Sequence, residues 1–98
     1  MGLKMHHSLA VHPGDWMKTE VIEPKGVGVS ALAAACGVSR QAISALLNGR
    51  TRMTAEMALR LEKLFGISAE TLLRMQVRFD LAQLHDCQPE VDRSRLAA

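Results

Sequence analysis

The chain has 98 residues, 48% of them apolar, a formal net charge of +2 and three aromatic rings, Trp16, Phe65 and Phe79. That length accommodates one domain with a modest core, and the apolar share excludes a wholly disordered chain. No run alternates β-branched and polar residues, so the core must be built from Ala, Leu, Val, Ile and Met on packed helices; the expected class is all-α.

Residues 1–11 include Gly2, His6 and His7 with little periodicity and read as a flexible arm. His12-Pro13-Gly14-Asp15 opens the first helix, since a proline's missing N–H has no partner in a first turn and Asp15 complements the helix dipole. Trp16, Val21, Met17 and Ile22 supply its inner face, Glu20 and Glu23 read as a solvated face, and Pro24 and Gly26 stop it. After the loop Lys25-Gly-Val-Gly28, Ser30 is expected to cap a second helix running to Cys36. Gly37 breaks that helix, and Ser39 caps a third that runs to Leu47.

Ala33, Gly37 and Ile43 carry the clearest signal in this region. A small residue, a glycine four positions on and a β-branched residue six beyond that suit two short helices crossing steeply through a tight turn. Leu32, Val38, Ile43 and Leu46 form the apolar wedge between them. This is a helix-turn-helix, a device that sets its second helix in a DNA major groove.

Asn48-Gly49 ends the third helix and Arg50 to Met53 form a loop. Thr54 caps a fourth helix with Met57, Ala58, Leu61, Leu64 and Phe65 facing inward. Gly66 ends it and Ser68 caps a fifth. There Leu72, Met75 and Phe79 make one apolar stripe, while Leu73, Val77, Leu81 and Leu84 make a second. A helix lying on one small core needs one stripe, so the second is expected to face a symmetry mate, giving a homodimer; deep burial of one broad stripe is the alternative. The domain spans residues 12–86, and residues 87–98, with a proline and mixed charge, read as a disordered tail.

Charge distribution says more than the net value. No acid lies between Glu23 and Glu56, and Arg40, Arg50 and Arg52 gather in and after the third helix. This is the local basic face of a nucleic-acid binder. Ser39, Arg40 and Gln41 occupy the first turn of that helix and Ser44 lies one turn on. Arginine bonds guanine O6 and N7, and glutamine bonds adenine N6 and N7, each in bidentate fashion. Ser39 is expected mainly to cap. Asn48, Arg50 and Arg52 are expected to grip the phosphate backbone, with Ser30 donating to a further phosphate at the second helix's N-terminus.

Other chemistries find little support. His6, His7, His12 and Asp15 lack the fixed spacing of a zinc site and read as a flexible polar N-terminus, and His85-Asp86-Cys87 is no better. No nucleophile elbow or phosphate-cradling loop is present, so neither an enzyme nor a cofactor is expected. Cys36 reads as a small buried hydrophobe. Leu9-Ala-Val11 is broken by His12 and Pro13, leaving no signal peptide or membrane span; the expected location is the bacterial cytoplasm, at the nucleoid when DNA is bound.

His12-Pro-Gly14, Glu23-Pro-x-Gly26, Val38-Ser-Arg40, Asn48-Gly49, Met57-Ala-Leu-Arg-Leu61 and Phe65-Gly-x-Ser68 together resemble the HigA family of antitoxins, within the Xre/Cro-like (lambda-repressor-like) helix-turn-helix group. The match covers His12 to about Leu81. The resemblance implies a five-helix domain, dimerisation through the last helix, a palindromic operator, repression of its own operon, and a HigB-like mRNA-cleaving toxin as partner. Where family members often carry an aromatic residue, this chain has Leu72. A stand-alone Xre-type regulator without a toxin, or an adaptor that uses the motif only as a scaffold, are the competing expectations.

Overall fold

The computed structural model describes residues 10–85 and 87–97; within them lie five α-helices and no strand. Helix α1 (Pro13–Met17) runs directly into a π-helical turn (Lys18–Ile22). It is followed by α2 (Val29–Cys36), α3 (Arg40–Leu47), α4 (Ala55–Phe65) and α5 (Ala69–Leu84). The helix-turn-helix expected from Ala33, Gly37 and Ile43 is α2 and α3, bent by 112° at the break between them. Among the described residues, no single helix is long and apolar enough to cross a membrane.

Local chemistry sets most helix ends. The Ser39, Thr54 and Ser68 hydroxyls accept from the backbone N–H of Ala42, Met57 and Thr71, as their positions predict. Gly37 turns the chain out of α2 at φ 73°, a left-handed conformation that costs glycine nothing. That turn lets the Val38 N–H reach the Ala33 carbonyl at 3.0 Å, while the Gly37 N–H reaches Ala34 at 3.2 Å, so the helix's last carbonyls are satisfied as it stops. Two helix ends are served from α4. Arg60 donates to the Cys36 carbonyl at the end of α2, and Glu62 accepts from the Ala69 N–H at the start of α5.

Ser30 does not cap α2, contrary to expectation. Gly28 takes the extended cap position, the helix starts one residue earlier at Val29, and Ser30 lies exposed within the first turn. Leu64 is also placed differently: it is 41% exposed, and the inner face of α4 is Ala58 and Leu61, with Met57 and Phe65 half-buried. Residues 87–97, read as disordered, hold one short 3-10 turn, Arg93–Leu96, whose start is capped by the Asp92 carboxylate, and bury nothing. Of the N-terminal arm, residues 1–9 lie outside the described residues.

The core gathers Met17, Leu32, Ile43, Met53, Leu61 and Leu72, all essentially inaccessible, from every helix and the α3–α4 loop. Met17, Val21 and Ile22 carry α1 and its π turn into this core, with Trp16 half-buried beside them. Cys36 is buried as expected. On α5, Leu72 is buried while Met75 and Phe79 are half-buried.

The second α5 stripe divides. Leu73 packs on the core, whereas Val77, Leu81 and Leu84 are 53%, 63% and 51% exposed. The alternative of one broad, deeply buried stripe is therefore not what the monomer adopts.

His12 is the largest departure from the sequence reading. Instead of belonging to a loose polar N-terminus, it is 3% exposed. Its Nδ1 accepts from the Gly14 N–H at 2.9 Å and caps α1. Nε2 then carries the proton and donates to the Thr51 carbonyl at 2.8 Å, with Phe79 of α5 packed edge-on to the ring. Beside it, Gly14 lies so close to α3 that a Cβ there would sit 1.8 Å from the Leu46 carbonyl oxygen. Gly14→Ala is thus expected to cost about 3 kcal/mol, the upper range for overpacking a well-filled site, read as a lower urea midpoint. An unchanged midpoint would show that α1 does not depend on this approach.

Candidate nucleic-acid interface

Because Ile43, Leu46 and Leu47 turn α3 into the core, the opposite face must meet solvent. Arg40, Gln41, Ser44 and Arg50 come together there around an open concavity of about 440 Å³, completed by Val29 and Ala45. Arg40, Gln41 and Arg50 are exposed and Ser44 is half-buried. The arrangement offers two guanidinium forks, an amide and a hydroxyl from one short helix and the turn after it. That is a donor-rich surface of the kind that addresses base edges and phosphates.

The other residues singled out from the sequence do not line the concavity. Ser39 spends its hydroxyl on the Ala42 N–H at 3.0 Å. Asn48 folds its amide back onto the Ser44 carbonyl at 2.9 Å and accepts from Lys18 Nζ at 3.2 Å. Lys18 is therefore a cation beside the end of α3 that sequence reading missed, 30 residues away in the chain. Ser30 is exposed on the first turn of α2.

Arg52 is placed differently from a free phosphate grip. Its guanidinium is paired with the Asp80 carboxylate of α5. Asp80 in turn accepts from the Gln76 amide at 2.9 Å, and Gln76, only 2% exposed, accepts from the Met53 N–H at 2.7 Å. Position 76 falls four residues after Leu72, on the core side of the helix, and that spacing is the signal that would have placed it inside. The chain Met53–Gln76–Asp80–Arg52 fastens the loop after α3 to α5.

Partial desolvation pushes the Asp80 carboxyl up, but hydrogen bonds from Arg52 and Gln76 and the nearby positive charge outweigh it and hold the group below the usual carboxylate range. Burial raises the Cys36 thiol despite Arg60 nearby, which suits an inert core thiol rather than a reactive one. Among the described residues no three His, Cys, Asp or Glu side chains converge to hold a metal. His6, His7 and Asp86 lie outside the described residues.

Two short helices at a steep angle, with a donor-rich second helix facing solvent, define a helix-turn-helix protein of the DNA-binding class. The helix-turn-helix family model HTH_3 matches residues 21–72. Virulence-associated protein I of Dichelobacter nodosus is 39% identical over 72 residues, covering 74% of this chain and 67% of that protein. Antitoxin HigA-1 of Vibrio cholerae is 39% identical over 71 residues, 72% of this chain and 67% of its own length. The chain thus spans about two thirds of the length of these curated relatives.

Among solved structures, the antitoxin GraA superposes with a TM-score of 0.75 at 32% identity, over 79% of this chain and 83% of its own. Antitoxin HigA of Pseudomonas aeruginosa, solved with the higBA promoter, does so at 0.75 and 25% identity, over 86% and 97% of the two chains. The chain belongs to the Xre-type helix-turn-helix family, among its HigA-like members.

The Asp80 network has a pH signature. A carboxyl whose pKa is lower in the folded than in the unfolded chain adds stability above the unfolded value, about pH 4, and loses it as pH falls through the folded value. Asp80→Asn is expected to unfold more readily than the parent at neutral pH, and by a smaller margin at an acid pH below the ordinary carboxylate value of about 4. Urea unfolding at the two pH values measures it; a gap that persists undiminished at acid pH would assign the loss to packing instead.

Proposed function

We propose that the chain is the antitoxin of a toxin–antitoxin pair and that, as a homodimer, it represses its own operon by binding operator DNA. The observation that carries the DNA-binding part is the convergence of Arg40, Gln41, Ser44 and Arg50 around one concavity on the exposed side of α3. Arg40 and Gln41, in the helix's first turn, read base edges, and Ser44 reaches the same edges from one turn further on. Arg50, Asn48, Lys18 and Ser30 position the backbone. Ser39 serves the helix end, and Arg52 reaches phosphate only by exchanging Asp80 for it.

The exposed row Val77, Leu81 and Leu84 is the dimer surface in this reading, with the half-buried Leu73 at its margin. An operator with twofold symmetry needs two recognition helices about 34–36 Å apart, one turn of duplex. The partner to be neutralised is a HigB-like, mRNA-cleaving toxin, supported by the likeness to the antitoxins HigA-1 and GraA.

Arg40→Ala is expected to cost about 1–3 kcal/mol in operator affinity and to relax base preference at one position per half-site. Arg50→Ala should weaken all sequences alike and lower the salt slope by about one unit. Fluorescence anisotropy over a salt series separates them, and equal losses across sequences for both variants would overturn the division between reading and positioning.

Leu81→Glu should sediment as a monomer and bind the operator weakly; a parent protein that is itself monomeric at micromolar concentration removes the dimer. Co-expression with the neighbouring open reading frame tests the toxin partner. A stable complex with a small basic protein is the expected result, and its absence alongside intact promoter binding would make the chain a stand-alone regulator.

A further inference from the structure

Two of the side chains lining the concavity on α3 are apolar. Val29, the first residue of α2, and Ala45, on the α3 face, line it together with Arg40, Gln41, Ser44 and Arg50. Both are half-buried: Val29 packs in part against the core, and both leave some apolar surface beside the hydrogen-bonding groups. A surface that met only phosphate oxygens and base heteroatoms would gain nothing from such a lining, because desolvating apolar carbon against polar atoms returns no favourable contact.

On the major-groove edge of a base pair one group is apolar, the C5-methyl of the pyrimidine, and small aliphatic side chains are its natural contacts. We propose that Val29 and Ala45 form a seat for a pyrimidine C5-methyl, so that the protein prefers a methyl-bearing pyrimidine at one position of each half-site. The proposal rests on the DNA-reading assignment of α3. The neighbouring hydrogen-bonding side chains would then read the adjacent base pairs, and the seat would add selectivity where no hydrogen bond is made. Thymine and 5-methylcytosine present the same methyl, and the experiment separates them.

Duplexes selected by the full-length protein from a random pool supply the probe, so no assumption about its own promoter is needed. Each thymine is then replaced in turn by deoxyuridine, which lacks only the methyl, and affinity is read by fluorescence anisotropy. At one thymine per half-site the parent protein is expected to lose about fourfold, the worth of one buried methyl. Val29→Thr keeps the side chain's shape and exchanges a methyl for a hydroxyl, and for it the loss at that position should fall below about twofold, the residue Ala45 still touching the methyl. Replacing the sensitive pair by cytosine–guanine should weaken binding, and methylating that cytosine should restore part of it if the seat takes either source; no restoration confines the preference to thymine.

Tight, salt-sensitive binding with every deoxyuridine neutral overturns the seat and leaves the DNA-reading assignment standing. A sensitive position that responds equally in the parent and in Val29→Thr places the methyl contact elsewhere and also overturns it. If no duplex is enriched at all, the DNA-reading assignment fails and the seat with it.

Discussion

The domain depends on the close approach of α1 to the far end of α3. Gly14 allows it, because no larger residue fits against the Leu46 carbonyl. His12 then locks it, capping α1 with one ring nitrogen and holding the Thr51 carbonyl with the other. Since Phe79 packs against the same ring, three parts of the chain meet at one imidazole: the start of α1, the loop after α3, and α5. A buried ring with both nitrogens bonded is costly to disturb, as either lost partner leaves a buried polar group unsatisfied.

That junction explains how so short a recognition helix is held. Helix α3 has eight residues, too few to persist alone in water. Its buried face rests on α1, α2 and the core, its start is capped by Ser39, and the loop that follows is pinned twice, at Thr51 by His12 and at Met53 by Gln76. The exposed ion pairs Arg60–Glu56 and Arg74–Glu70 add little by comparison, since both are solvent-screened pairs along a single helix.

Legibility in the sequence followed the range of the interaction. The breaks at Gly37, Gly49 and Gly66 and the caps at Ser39, Thr54 and Ser68 depend on residues three or four positions apart, and all were readable. So was the apolar wedge of Leu32, Ile43 and Leu46. What escaped was set by partners far along the chain. His12 meets Thr51 across 39 residues, Arg52 meets Asp80 across 28 and Gln76 meets Met53 across 23; the spacing of Gln76 from Leu72 marks its burial, but no local pattern announces the partner in any of these pairs. Ser30 failed for the opposite reason: serine is a good cap, but Gly28 was free to take the extended conformation first. In the candidate site, Gln41 was legible because helical periodicity puts it opposite Ile43 and Leu46, and Arg40 and Ser44 because the Ser39 cap fixes where the first turns of the helix fall. Lys18 was not, because its place beside Asn48 exists only after α1 has docked.

The buried amide of Gln76 has a consequence for geometry at a distance. With the Gln76 oxygen committed to the Met53 backbone, and Asp80 on the same helix committed to Arg52, α5 cannot roll about its own axis without leaving the Gln76 oxygen and the Met53 N–H unpaired in the core. The direction in which Val77, Leu81 and Leu84 face is thereby fixed relative to α3. In a twofold assembly built on that row, the same amide would act as a protractor: it sets the angle at which the two copies diverge, and with it the number of base pairs between the two sequences they touch.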